Sequence, residues 1–122
     1  MAPVPIAPRE LTRAEREVLE FLVSADFAGA DRLRAQIPHC RVVAVWVEGQ
    51  PSVDLAVPAT VAPAPVPDGA IPSGAEVRTG AGEYVGEVLV WVGGGYLAAV
   101  EYAWVTDEAP DRLPAVSTMK LV

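Results

Sequence analysis

The chain has 122 residues, of which 52% are hydrophobic and 20% charged, and its formal net charge is −7. Such a length and composition predict one globular domain and exclude a disordered chain. The acidic balance argues against nucleic acid, whose binding needs clustered lysines and arginines, and no apolar run approaches the roughly 20 residues of a membrane span.

The N-terminal part predicts a short arm followed by two helices. Residues 1–9 carry three prolines, so we expect them to form a loose, disordered arm. Thr12 and Glu15 have the spacing of a capping box and mark the start of the first helix. A second helix is expected over residues 28–36, ending before Pro38 because the residue before a proline is pushed out of helical conformation.

Five later segments are rich in β-branched and aromatic residues and predict strands. Three of them contain a tryptophan followed by a valine. The predicted strands cover residues 41–47, 52–57, 76–79, 84–92 and 96–105. The final segment, 117–122, can add an edge strand or remain unpaired, and the sequence does not decide between the two.

Together these elements predict an α+β fold in a single domain over residues 10–122. The helices form a hairpin packed on an antiparallel sheet of four or five strands. The Pro-rich segment 58–74 interrupts the strand pattern and is expected to be an extended linker of polyproline II type. It could cross the end of the sheet or carry the second half of the chain to a partner subunit.

The register of the last hairpin depends on how many of the glycines 93–95 form its loop. A three-residue loop places Glu87 opposite Glu101, and directly opposed like charges are destabilising. A two-residue loop separates the two glutamates onto opposite faces and is the loop length that glycine favours. The second register is therefore preferred, and it gathers on one face the aromatic side chains of Trp91, Tyr96, Tyr102 and Trp104.

The aromatic set and the carboxylates are the only candidate site residues in the sequence. The aromatic face could be core beneath the helices, a dimer interface, or the wall of a pocket for a flat apolar ligand. Glu87, Glu101 and Asp54 are candidates for acid–base chemistry. The competing interpretation of these carboxylates is that they are polar residues on a solvent-facing side of the sheet.

His39 and Cys40 do not form a nucleophile–base pair, because adjacent residues of an extended chain point to opposite faces. We expect a buried cysteine and a surface histidine, with no metal site and no cofactor. The glycine clusters at 80–86 and 93–95 lead into strands rather than helices, so they predict turns and not phosphate sites. A lone cysteine and an N-terminus without a signal-peptide pattern suggest a cytoplasmic protein.

Segments 11–16, 24–27, 33–36 and 51–55 resemble a family of small uncharacterised proteins from high-GC bacteria. The resemblance covers about the first half of the chain. Members of that family often carry a cysteine–glycine stretch where this chain has residues 45–49, so a metal or redox role there does not transfer. The resemblance implies no activity.

The sequence favours a non-enzymatic, acidic protein-interaction module, of the inhibitor or immunity type, that self-associates as a homodimer or binds a basic protein. The alternative is a small enzyme or a binder of small apolar ligands. That protein would use an aromatic-lined pocket and carboxylates for acid–base chemistry.

Overall fold

The computed structural model describes residues 2–122, which form two α-helices and an open antiparallel sheet of eight strands. The α+β class and the antiparallel sheet agree with the sequence prediction. The helices are α1 (Arg13–Leu22) and α2 (Ala30–Gln36). The strands are β1 (Val4–Glu10), β2 (Arg41–Val45), β3 (Val53–Ala56), β4 (Gly69–Ala70), β5 (Ala75–Arg78), β6 (Tyr84–Gly93), β7 (Tyr96–Trp104) and β8 (Met119–Leu121).

The sheet is wider than the four or five strands predicted. Its order is β1-β2-β3-β7-β6-β5-β8, and β4 pairs with β6 beside the end of β5. The three additional strands are β1, β4 and β8. The last of these settles the open question about residues 117–122, because it pairs with β5 as an edge strand.

The prediction of a disordered arm over residues 1–9 is wrong from Val4 onward, while Met1 lies outside the described residues. Residues 4–10 pair with β2 and form an edge of the sheet, so the two helices do not begin the fold. An edge strand tolerates Pro5 and Pro8 because one side of its backbone has no neighbour to bond. The same prolines also hinder the addition of a further strand at this edge.

Helix α1 begins as the capping box predicts. Thr12 Oγ1 accepts the backbone N–H of Glu15 at 3.1 Å, and a Glu15 carboxylate oxygen accepts the backbone N–H of Thr12 at 2.8 Å. Arg9 adds two bonds to this carboxylate, at 2.9 and 3.0 Å. Burial alone raises the pKa of Glu15, but the hydrogen bonds from Arg9 and Thr12 and the charge of Arg9 outweigh it and lower the pKa below its usual value.

Both helices pack on the same face of the sheet and enclose the main core. Apolar side chains recur on α1 at the spacing of one helical face, and in β6 they alternate with partly exposed residues. Burying each such side chain contributes about 1.5–3 kcal/mol. The fully buried members of this core include Val18, Leu19, Leu22, Leu33, Val42, Val88, Val90 and Val100.

The Pro-rich segment 58–74 crosses the end of the sheet and packs against the tip of the β6–β7 hairpin. The backbone N–H of Ala64 donates to the Gly95 carbonyl at 2.7 Å. Gln36, the last residue of α2, is completely buried beneath this crossing. Its side-chain amide donates to the carbonyls of Gly95 and Ala62 and accepts the backbone N–H of Leu97, which joins helix, segment and hairpin.

The β6–β7 hairpin has the predicted two-residue loop, since Gly93 pairs with Tyr96. A β-bulge then changes the register. Val92 pairs with Leu97, but Trp91 pairs with Ala99, so Ala98 has no partner on β6.

The bulge reverses the predicted partition of side chains between the two faces. Leu89 lies opposite Glu101, and Glu87 lies opposite Ala103. Because directly paired residues share a face, Glu87 and Glu101 lie on the same face and not on opposite ones. Trp91 is on that face too, whereas Tyr102 and Trp104 belong to the face that the helices cover.

Candidate functional site

The side of the central strands that faces away from the helices remains open to solvent. We call it the open face. Its larger side chains are partly buried by one another, and the small Ala44 and Ala99 are buried. The open face consists of Ala44, Trp46, Asp54, Glu87, Leu89, Trp91, Ala99, Glu101 and Ala103.

Two tryptophans of the open face are each bound to a carboxylate on a neighbouring strand or turn. Trp46 Nε1–H donates to Asp54 Oδ1 at 2.8 Å, and Trp91 Nε1–H donates to Glu101 Oε1 at 2.9 Å. A hydrogen bond to an ionised acceptor is roughly twice as strong as one between neutral groups. These bonds hold both indoles in fixed orientations. Within residues 2–122 the second oxygen of each carboxylate accepts no hydrogen bond from another side chain.

The carboxylates of the open face have no cationic partner within the described chain. Asp54, Glu87 and Glu101 take part in none of the ion pairs that residues 2–122 form. Glu87 also lies directly opposite Glu76 of β5, an arrangement of like charges that costs stability. Arg78 pairs with Glu76 and partly offsets that charge. The centre of the open face therefore carries uncompensated negative charge.

A notch opens where β3 and β7 diverge. The two strands pair only at Val53–Val100 and Asp54–Ala99. Beyond that point the backbone N–H of Tyr102 donates to Ser52 Oγ at 3.0 Å, in place of a backbone carbonyl of β3. The notch is a cavity of about 290 Å³. It is lined by Trp46, Val47, Gln50, Ser52, Glu101, Tyr102, Ala103 and Trp104.

The four aromatic residues predicted to share one face are in fact distributed over three locations. Trp91 is on the open face. Tyr102 is buried on the helix-covered face, where burial raises the pKa of its hydroxyl. Trp104 packs partly against the same core and reaches the notch. The Tyr96 hydroxyl donates to the carbonyl of Val61 at 2.8 Å and fastens the hairpin to the Pro-rich segment.

The three candidate carboxylates, by contrast, do lie on one face. Asp54 and Glu101 each accept an indole N–H instead of sharing a proton with another acid. Trp46 is the aromatic residue of the candidate site that sequence reasoning missed. The alternation of side chains along β2 and β3 could have placed Trp46 beside Asp54. The sequence carries no local pattern for the pairing of β3 with β7, which brings Trp46 near Glu101.

Cys40 and His39 do not form a reactive pair. The Cys40 side chain is buried, and burial together with the negative charge of Glu15 raises the pKa of the thiol to about 12. His39 is exposed. Over residues 2–122 no group of three or more histidine, cysteine, aspartate or glutamate side chains is placed to hold a metal ion.

No helix in the described part of the chain has the length and apolar character needed to cross a membrane. Comparison with models of known protein families, with curated proteins and with solved structures finds no match to this chain. The functional proposal therefore rests on the open face and its notch.

Proposed function

We propose that this protein is a non-enzymatic interaction module that binds a basic protein through its open face. The observation that carries the proposal is the pair of indole–carboxylate bonds, Trp46–Asp54 and Trp91–Glu101. Each bond presents a rigid aromatic surface beside a carboxylate oxygen that has no side-chain donor. Tryptophans anchor interfaces because they bury a large area at a small cost in conformational entropy.

The charge of the open face selects the chemistry of the partner. Asp54, Glu87 and Glu101 attract lysine and arginine side chains, and the net charge of −7 would steer a basic protein toward the face over longer distances. Self-association through the same face would place these acids against each other. The proposal therefore commits to a different, basic protein as the partner instead of a second copy of the chain.

Such a face would suit an inhibitor or immunity-type protein. A protein of that type acts by covering the basic substrate-binding surface of its partner, and the acidic open face is complementary to such a surface. We do not extend the proposal to catalysis. Asp54 and Glu101 each accept an indole N–H, which orients the indole. Within the described chain neither is hydrogen-bonded to a second titratable side chain with which it could exchange a proton.

The proposal can be tested by panning a displayed library of random peptides on the purified protein. We expect the selected peptides to be rich in lysine and arginine and to bind more weakly as salt concentration rises. The double variant Asp54→Asn, Glu101→Gln should lose this selection, while its amide oxygens can still accept the indole N–H groups. The control is Glu17→Gln, Glu20→Gln, which removes the same charge from the exposed surface of α1.

Hydrogen exchange on the complex with the strongest peptide should show added protection in β6 and β7. If the α1 control loses selection as completely as the Asp54 and Glu101 variant, the binding depends on net charge alone and the proposal is wrong. It is also wrong if the library yields no preference for basic peptides.

A further inference from the structure

The notch offers a different chemistry from the rest of the open face. It combines two tryptophans with several oxygen acceptors in one cavity of about 290 Å³. The residues that supply these acceptors are Glu101, Gln50 and Ser52, each of which lines the notch and carries a side-chain oxygen. A cavity of this size accommodates one side chain and not a secondary-structure element.

We propose that the notch is the binding site for a single arginine side chain of the partner. The inference rests on the proposed function and specifies the residue type that is recognised. The guanidinium group would bind Glu101 and stack against the indoles of Trp46 and Trp104. Arginine stacks on aromatic rings and presents five donors in a planar array, whereas lysine is a compact charge with three donors.

The structure prepares the notch for such a ligand in three ways. The indole of Trp46 is already held by Asp54, so binding need not order it. The Trp91 N–H occupies Oε1 of Glu101 and leaves Oε2 for a cation. Ser52 is likewise held in place, since its hydroxyl accepts the N–H of Tyr102. A ligand entering the notch therefore meets groups that are positioned before it arrives.

The test uses blocked amino acids as probes and the indole N–H signals of the three tryptophans as reporters in NMR spectra. N-acetyl-arginine methylamide should shift the signals of Trp46 and Trp104 in a saturable way. The Trp91 signal should also shift, because its N–H is bonded to Glu101. The internal control is the set of backbone N–H signals of α1, because no residue of that helix lines the notch. The lysine analogue should bind about tenfold more weakly, and the uncharged citrulline analogue should cause no saturable shift.

Two variants separate the notch from the surrounding charge. Glu101→Gln should weaken arginine binding about tenfold while its amide oxygen can still accept the Trp91 N–H. Glu87→Gln removes one charge from the open face outside the notch and should leave the affinity nearly unchanged. The inference is overturned if lysine binds as well as arginine, if the backbone N–H signals of α1 shift as strongly as the Trp46 indole, or if Glu87→Gln has the larger effect.

The two proposals fail in different ways. A library that selects basic peptides with equal use of lysine and arginine would overturn the arginine site and leave the basic-partner function standing. Saturable binding of the arginine probe to the notch, with no basic peptides selected, would support the arginine site and overturn the basic-partner function.

Discussion

Replacement of the buried Gln36 tests how the fold holds its Pro-rich crossing against the β6–β7 hairpin. The side chain is fully buried and makes three hydrogen bonds, to the Ala62 and Gly95 carbonyls and from the Leu97 N–H. The three bonds do not matter equally. Ala62 is exposed and its carbonyl can bind water, and the Gly95 carbonyl still accepts the N–H of Ala64.

The cost of Gln36→Leu therefore comes mainly from the N–H of Leu97, which would be buried without an acceptor. Leaving one such group unsatisfied costs about 1–3 kcal/mol, and we expect the free energy of unfolding to fall by that amount. Gln36→Glu keeps an acceptor for Leu97 but places a buried charge against the Gly95 carbonyl. An unpaired buried charge costs about 3–5 kcal/mol at neutral pH.

The pH dependence of Gln36→Glu has a definite sign. The introduced carboxyl is stabilised in its neutral form, so its pKa in the folded state lies above the unfolded value of about 4.3. The folded state then binds the proton more tightly than the unfolded state. The destabilisation relative to the wild type should be full well above the raised pKa and should shrink as pH falls through it.

Urea denaturation from pH 8 to pH 5, with the wild type measured at each pH, provides the assay. Gln50→Leu is the matched control, because Gln50 is only partly buried and makes no side-chain hydrogen bond within the described chain. It should change stability by less than about 0.5 kcal/mol. A Gln36→Leu protein as stable as the wild type, or a Gln36→Glu deficit that does not diminish on acidification, would refute this reasoning.

Three further predictions concern the helix cap, the hairpin tip and the cysteine. Burial raises the pKa of Glu15, but the bonds from Arg9 outweigh it and the folded-state pKa is lowered. The stability contributed by this pair is therefore present above about pH 4.3 and is lost as pH falls through the lower folded pKa. Urea denaturation curves measured over this pH range should show the loss for the wild type and not for Glu15→Gln. Gly95→Ala should destabilise the protein far more than Gly94→Ala, because a Cβ at Gly95 would lie 2.8 Å from the Pro-rich segment. Gly94→Ala should cost only the ~1–2 kcal/mol of left-handed backbone strain. Thermal melting compares the two variants, and equal losses of stability would contradict the packing. Cys40, with a pKa of about 12, should react with iodoacetamide at pH 8 only after unfolding, as mass spectrometry can follow; rapid labelling of the native protein would contradict its burial.

Much of the fold follows from local patterns in the sequence. The capping box marks the start of α1 at Arg13, and α2 ends at Gln36 as predicted. Five strands fall within their predicted segments to within about two residues, because β-branched and aromatic runs report burial on a sheet. Strands β1 and β4 escaped prediction because one contains prolines and the other has only two residues. Both owe their conformation to a neighbouring strand.

The candidate site was less predictable than the fold. Sequence reasoning identified Asp54, Glu87 and Glu101 as residues of interest and chose the correct loop length between β6 and β7. It placed Trp91 on the wrong face because nothing local to Ala98 marks a bulge. It did not place Trp46 beside Glu101 because that proximity depends on the pairing of β3 with β7, which joins distant parts of the chain.

The bulge at Ala98 determines how the length of this hairpin can change. Side chains alternate along a regular strand, so an unpaired residue shifts that alternation by one position. Because Ala98 has no partner on β6, its deletion would leave Leu97 opposite Val92 and Ala99 opposite Trp91. Glu101 would stay on the open face and Tyr102 in the core. A homologous chain can therefore lose this one residue without exchanging the two faces, whereas a residue inserted into the regular part of β7 would need a second bulge to preserve them.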